Sequence, residues 1–437
     1  MIRIGAGQGV YGESIDLFRA AFDAGVDYVV CDSLAETTCG MLVLDQRGDE
    51  TAGWAPDLLA RLDVALPAAV AAGTRWVTNA GGVNPVAAHQ RAVARAREQG
   101  FRGVKIAAVV HDPPPDPFAD DAPVLATLAY AGAAGIVEAL DRDADVVIAG
   151  RVADAALFLA PLVHEYRWAW DDWGRLAAGS TVGHLLECSG QCTGGTYSGD
   201  WWNTVDFRRP GPPIAEVEPN GDAVITKPEG TSGRVSFDTV REQLLYEVHD
   251  PTTYLTPDVV VDLASAELVD QSNDRVLVTG VRGAPRTDTL KGLRYSVGGY
   301  TAEVTLTFAW PDAEAKCRHV LRSLRATALD AGVGVAEWCE EYFGVSGFGG
   351  PTVPSDGRTV DPPEVTGRLA WRTDTMADAV AVQRLVGRIG LFSPPGLQGI
   401  GRRVRERGGP VPMLRLEPFL VDREIVESTR RVIVEEV

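Results

Sequence analysis

The chain opens on a short apolar segment of β-forming residues, Ile2-Arg-Ile4, followed by a glycine loop and an amphipathic stretch that predicts a helix from near Ser14. The alternation then repeats. Asp27–Cys31 is an apolar run ending in Asp32, and Arg75-Trp-Val-Thr78 ends in Asn79-Ala-Gly-Gly. Pro85–Gln99 is helical and stops at Gly100, Gly103–Val110 ends in His111-Asp112, and Asp145–Ala149 ends in Gly150-Arg151. Strands separated by helices build βαβ units, so the expected fold class is α/β, with a mostly parallel sheet and flanking helices in the N-terminal half.

After about Trp202 the pattern becomes alternating and rich in turns. Ile214–Glu218 and Ala223–Thr226 flank an Asn220-Gly221 hairpin turn, and a helix is predicted over Phe237–Tyr246. Further strands are expected at Val259–Asp262, Arg275–Val281 and Tyr300–Phe308, with helices over Pro311–Leu329 and Thr375–Ile389 and a proline-rich linker at Gly350–Pro363. This is an α+β C-terminal part. The expected domains are 1–205, Rossmann-like with the ligand crevice; 206–349, with antiparallel strands; and 350–437, a linker and α/β segment packing on the rest.

Polar residues gather where the N-terminal strands end: Asp32, Ser33 and Glu36, then Asn79 and Asn84, His111 and Asp112, Arg151 and Asp154. In an open parallel sheet the carboxyl edge holds the ligand crevice. The plain alternative is that loops are polar because they are exposed. Gly7-Gln-Gly9-Val-Tyr-Gly12 also matches G-x-G-x-x-G, with Asp32 20 residues beyond Gly12, the spacing of a dinucleotide-binding fingerprint. Gly7, Gly9, Gly12, Asp32, Glu36, Asn79 and Asn84 are therefore the expected substrate-binding residues. NAD(P) stays open as a cofactor, although the leading expectation is that none is required; a tight turn for another phosphate or carboxylate is favoured over a dinucleotide site, and a purely structural turn is the remaining alternative.

The densest chemistry lies in Thr181–Gly195, read as one helix on which His184, Glu187 and Cys188 share a face, with Gln191 and Cys192 a turn further on. Buried beside an imidazole, Glu187 would become an acid or base usable near neutral pH. Arg151 suits a substrate carboxylate, and Asp154 would orient it or carry a second proton. Glu187, His184, Asp154 and Arg151 are the expected catalytic set. The alternatives are a buried hydrogen-bonded pair for His184 with Glu187, and a helix cap with a local ion pair for Arg151 with Asp154. Cys188, in mid-helix beside Glu187, reads as a small core residue rather than a nucleophile. Zinc on His184, Cys188 and Cys192 lacks further ligands at the usual spacing, so no metal is expected.

Composition narrows the partners. At 45% hydrophobic and 23% charged, 437 residues fill a globular core, and the net charge of −19 argues against nucleic acid and anionic membranes. Six cysteines are too sparse for a disulfide scaffold, and no signal peptide or long apolar run is read, so a cytoplasmic protein is expected, with a small-molecule ligand and self-association into a homo-oligomer.

Several segments carry a resemblance: Cys31-Asp-Ser-Leu-Ala-Glu36, Thr78-Asn-Ala-Gly-Gly-Val-Asn-Pro85, Gly150-Arg-Val-Ala-Asp154, Pro161-Leu-Val-His-Glu165 and Asp171-Asp-Trp-Gly-Arg-Leu-Ala-Ala-Gly179. With Thr181–Gly195, Ile225–Gly233 and Glu242–Asp250 they resemble the acyclic terpene utilisation (AtuA-like) family over nearly the whole chain, without the small extra C-terminal domain of many members. The resemblance implies breakdown of branched acyclic terpenoids through CoA thioesters, alongside carboxylases and hydratases. The expected function is thus a lyase- or hydratase-like enzyme using general acid–base chemistry on a branched acyl substrate. A nucleotide-dependent oxidoreductase using the glycine loop and a non-catalytic assembly subunit are the alternatives.

Overall fold

The computed structural model describes residues 1–118, 123–204, 206, 208–345, 362–402 and 409–437. The predicted Gly350–Pro363 linker lies outside them except for its last two residues. The chain forms two units, one of residues 1–119, 125–294 and 417–437, the other of 120–124 and 295–416.

In the first unit, successive strand residues point to opposite faces, as the pleat requires. Val29, Cys31, Trp76, Val146 and Ile148 enter one core, and Tyr28, Val30, Val77, Val147 and Ala149 enter the other. Both faces are apolar because helices cover both. Ile2–Gln8, Tyr28–Cys31, Arg75–Gly82, Val146–Gly150 and Lys105–Val110 lie side by side in that order, all parallel.

The sheet as a whole is mixed rather than mostly parallel. Ile214–Val217, Ala223–Thr226, Val276–Thr279 and Glu267–Asp270 extend it antiparallel beyond Ile2–Gln8, and Arg431–Glu436 pairs antiparallel with Lys105–Val110. Tight turns explain only the antiparallel pairs 214–217 with 223–226 and 267–270 with 276–279; the others join segments distant in sequence, so no local signal foretold them.

The crossovers fall on both faces of the sheet. Helices Ile15–Asp23, Leu58–Ala72 and Pro85–Glu98 bury Phe18, Leu62 and Ala92 in the first core, whereas Ala134–Asp141 and Asp154–Tyr166 bury Ile136 and Phe158 in the second. The chain therefore leaves strand Arg75–Gly82 toward one face and its neighbour Val146–Gly150 toward the other. In doubly wound sheets ligands bind where neighbouring strands diverge in this way, at their carboxyl ends.

Local signals explain the helix starts. Ser14 accepts from the Asp16 N–H, and Ser236 and Thr239 form a capping box before Phe237–Leu245. The first strand is longer than the predicted Ile2–Ile4 because it continues through Gly5 and Gly7. A Cβ on Gly7 would lie 2.7 Å from the Phe18 ring and 2.8 Å from Val29, so glycine here permits a close helix–strand contact.

The second unit is built on antiparallel strands Glu337–Phe343, Glu364–Thr373, Thr289–Ala309 (from Tyr295 onward) and Leu397–Arg402. Val304, Leu306 and Phe308 alternate inward against Leu321 of helix Ala313–Asp330 and Val382 of helix Met376–Val386. Among the described residues no helix is long and apolar enough to cross a membrane.

Candidate active site

Asp32 follows its strand directly and is 6% exposed. Its Oδ1 accepts the Leu34 N–H at 3.0 Å and Asn79 Nδ2 at 2.5 Å, while Asn79 Oδ1 accepts the Ser33 N–H at 2.7 Å. Two neighbouring strand ends are thereby tied together. Burial pushes the Asp32 carboxyl well above the usual range, the charge of Asp154 adds to this, and Arg151 opposes it.

Arg151 follows the strand on the other side of the divergence. Its Nη1 donates to the Leu34 carbonyl at 2.9 Å and lies 3.0 Å from Asp154 Oδ1, with the guanidinium 4.0 Å from the Tyr130 ring centre. Lys291 Nζ lies 4.4 Å from the same ring centre. Tyr130 is held by two cations, an arrangement favourable to both. Its hydroxyl donates to Glu36 Oε1 at 2.6 Å, and Lys291 donates to the same oxygen at 2.9 Å. Burial works against the Glu36 anion, but these two donors outweigh it and hold the carboxyl down at about 2. Asp154 opens the helix Asp154–Tyr166, and burial raises its carboxyl against the pull of Arg151.

Two expected ligand groups have local structural work. Asn84 caps helix Pro85–Glu98, accepting from the Ala87 N–H and donating to the carbonyls of Glu50 and Ala52 at 3.0 and 2.9 Å. Gly9 packs on the end of the 173–186 helix, where a Cβ would lie 2.6 Å from Cys188 C, 2.7 Å from Glu187 O and 2.8 Å from Ser189 N. Its N–H donates to Glu13 Oε2 at 2.8 Å, so a carboxylate occupies the amide that a pyrophosphate would need. Gly7 lies within the strand, and Gly12 takes a φ of +78° in the turn.

The segment predicted as a helix over Thr181–Gly195 ends sooner. The α-helix is Trp173–Leu186 with Glu187 at its cap, and a short 3-10 turn over Ser189–Gln191 follows. Ser189 takes a φ of +48°, breaking the repeat that would have kept Cys188 and Cys192 on the face of His184. Cys192 is wholly buried in the apolar core, and burial followed by the Glu187 charge pushes the Cys188 thiol up, away from the thiolate. Among the described residues no three His, Cys, Asp or Glu side chains are placed to hold a metal ion.

His184 and Glu187 do meet. Nδ1 lies 3.0 Å from Glu187 Oε1, and Nε2 lies 3.1 Å from the Leu244 carbonyl. A carbonyl only accepts, so Nε2 carries a hydrogen. The hydrogen bond at Nδ1 then needs one more proton, held either by the glutamic acid or by an imidazolium. Burial lowers the imidazole, but Glu187 outweighs it and the net shift is upward; burial also raises Glu187 to about 7 against the pull of His184. The pair keeps a proton that an exposed glutamate would have lost. Glu187 Oε2 and Arg151 Nε are buried without a hydrogen-bond partner among the described residues.

Sequence reasoning passed over Tyr130, Lys291 and Gln243, which donates to the His184 carbonyl at 3.0 Å. The signal for Tyr130 was weak: a tyrosine closing the apolar strand Val124–Ala129. Lys291 gave none, because its partner Glu36 is 255 residues away.

No curated protein matches the chain. Residues 2–432 match the family model described as acyclic terpene utilisation family protein AtuA. That match spans nearly the full length, including every residue of the strand-end cluster and the His184–Glu187 pair, and the chain belongs to the acyclic terpene utilisation (AtuA) family.

Proposed function

We propose that this protein is a general acid–base enzyme of acyclic terpene utilisation that adds or removes water at a branched acyl thioester. The observation that carries the reading is the buried Glu187–His184 pair, which holds one proton near neutral pH and has an unpartnered carboxyl oxygen. In hydration, water's oxygen bonds to the β carbon and the π electrons of the double bond take the pair's proton at the α carbon. The proton lost by water returns to the pair, which ends as it began. Arg151 holds the strand-end loop at Leu34 and neutralises Asp154, and Asp32 and Asn79 fix the opposite wall.

The test is incubation of the full chain with branched enoyl- and 3-hydroxyacyl-CoA thioesters in deuterated water, with mass spectrometry of α-carbon deuterium. Glu187→Gln is expected to lower exchange by roughly 10²–10⁴-fold while the protein stays folded. Exchange at the wild-type rate in that variant removes the pair from the chemistry.

A further inference from the structure

Past the end of the Trp173–Leu186 helix lies a cavity of about 290 Å³. Cys188 and Gly190 form part of its wall, together with Glu13, Gln191, Thr196 and Gly211. No lysine, arginine or histidine lines it among the described residues, and its two charged residues, Glu13 and Asp206, are acids. An anion inside would therefore be desolvated with no counter-charge, next to like charge. Glycine backbone, amide and hydroxyl groups instead suit an uncharged chain that forms hydrogen bonds. At Asp206 and Ser232 the cavity shares its wall with a surface groove carrying Arg208 and Arg209. Arg208 is 86% exposed and pairs with Asp206 at 2.6 Å. At the other end Cys188 directly follows Glu187, and its thiol lies in the fields of Glu187 and Asp32. The groove thus brings two arginines to a cavity whose walls carry no cation, and at the cavity's Cys188 wall the chain continues directly from Glu187.

We infer that the cavity and groove form the seat of the thioester's carrier: an uncharged arm bearing amides and hydroxyls occupies the cavity, and its phosphates rest on Arg208 and Arg209. Guanidinium groups match phosphate geometry. The arm's sulfur end then reaches the Cys188 wall, presenting the acyl group to Glu187. This assignment rests on the acyl-thioester reading and adds the place and polarity of its carrier.

Coenzyme A and pantetheine are the probes, titrated calorimetrically into the full chain. A Cβ on Gly190 would meet only Thr193 Oγ1, at 4.0 Å, so Gly190→Leu grows into the cavity rather than into packed atoms. It is expected to weaken both probes by at least about tenfold with the melting temperature held. Arg208→Glu with Arg209→Glu is expected to weaken coenzyme A by at least about tenfold and leave pantetheine unchanged. Failure of coenzyme A to bind the wild type, or unchanged affinity in Gly190→Leu, overturns the assignment, as does an equal loss of both probes on charge reversal. If Glu187→Gln abolishes exchange while Gly190→Leu binds normally, the cavity assignment alone falls. If the binding losses appear but Glu187→Gln exchanges fully, the acid–base chemistry alone falls.

Discussion

Replacing Glu187 by glutamine removes one acid and keeps the shape of the site. The new amide can donate to His184 Nδ1, whose Nε2–H still serves the Leu244 carbonyl. In the wild type the unfolded chain gives up the glutamate proton near 4.5 and the imidazole proton near 6.5, whereas the folded pair keeps its proton to about 7. Across that window the folded state binds more protons, so stability is greatest below it and falls as pH rises through about 7. The fall is about 1.4 kcal/mol for each pH unit by which the folded pair keeps its proton beyond the free imidazole. In Glu187→Gln the imidazole loses the carboxylate that raised it most, and burial, the largest cause, is opposed only by the Leu244 carbonyl and the Glu247 charge, so it is expected to fall below its ordinary value. The variant then gains stability as pH rises through the imidazole range, by about 1.4 kcal/mol for each pH unit of that depression. The two slopes have opposite signs. Urea unfolding midpoints from about pH 5 to about pH 9 measure both proteins, and subtraction cancels shared groups such as His89 and His111, which burial depresses in each. Parallel profiles would refute the shared-proton geometry.

Three further outcomes test the surroundings. Gly9→Ala forces a methyl group into the backbone at residues 187–189 and should cost roughly 1–3 kcal/mol in urea unfolding; a loss below about 0.5 kcal/mol would mean that this contact yields freely. Glu36→Gln should remove an acid-dependent part of stability, because the depressed Glu36 carboxyl stabilises the fold above its ordinary 4.5 and loses that effect as pH falls toward 2; identical acid-unfolding curves would contradict the Tyr130–Lys291 arrangement. Asp32→Asn keeps an acceptor for Leu34 and Asn79 and imitates the protonated acid, so its midpoint at neutral pH should move by less than about 1 kcal/mol, and a loss above roughly 3 kcal/mol would show that a buried anion is needed.

Much of the frame was legible because its signals are local. Ser14 marks a helix start, Pro85 opens a helix behind its asparagine cap, and Asn220-Gly221 turns a hairpin. His184 and Glu187, three residues apart, were bound to share a face if the helix lasted that far. What failed depends on partners distant in sequence. Nothing near Gly7 tells that Phe18 and Val29 crowd it, so strand read as loop. The hairpin of residues 214–226 was visible, but its pairing with Ile2–Gln8, which makes the sheet mixed, was not. Asn84 shows a subtler limit, since a side-chain amide is the right chemistry for a ligand and for a helix cap alike.

The strand Arg431–Glu436 is the last secondary structure in the chain, yet it borders the same sheet as the first. It shields Lys105–Val110, whose residues 106–110 are all buried, and itself presents Arg431, Glu435 and Glu436 at the margin. A protein shortened before Arg431 would keep the strand-end residues but bare an apolar edge with unpaired backbone groups, a template for aggregation. Loss of solubility on such trimming would therefore say nothing about the chemistry of Glu187.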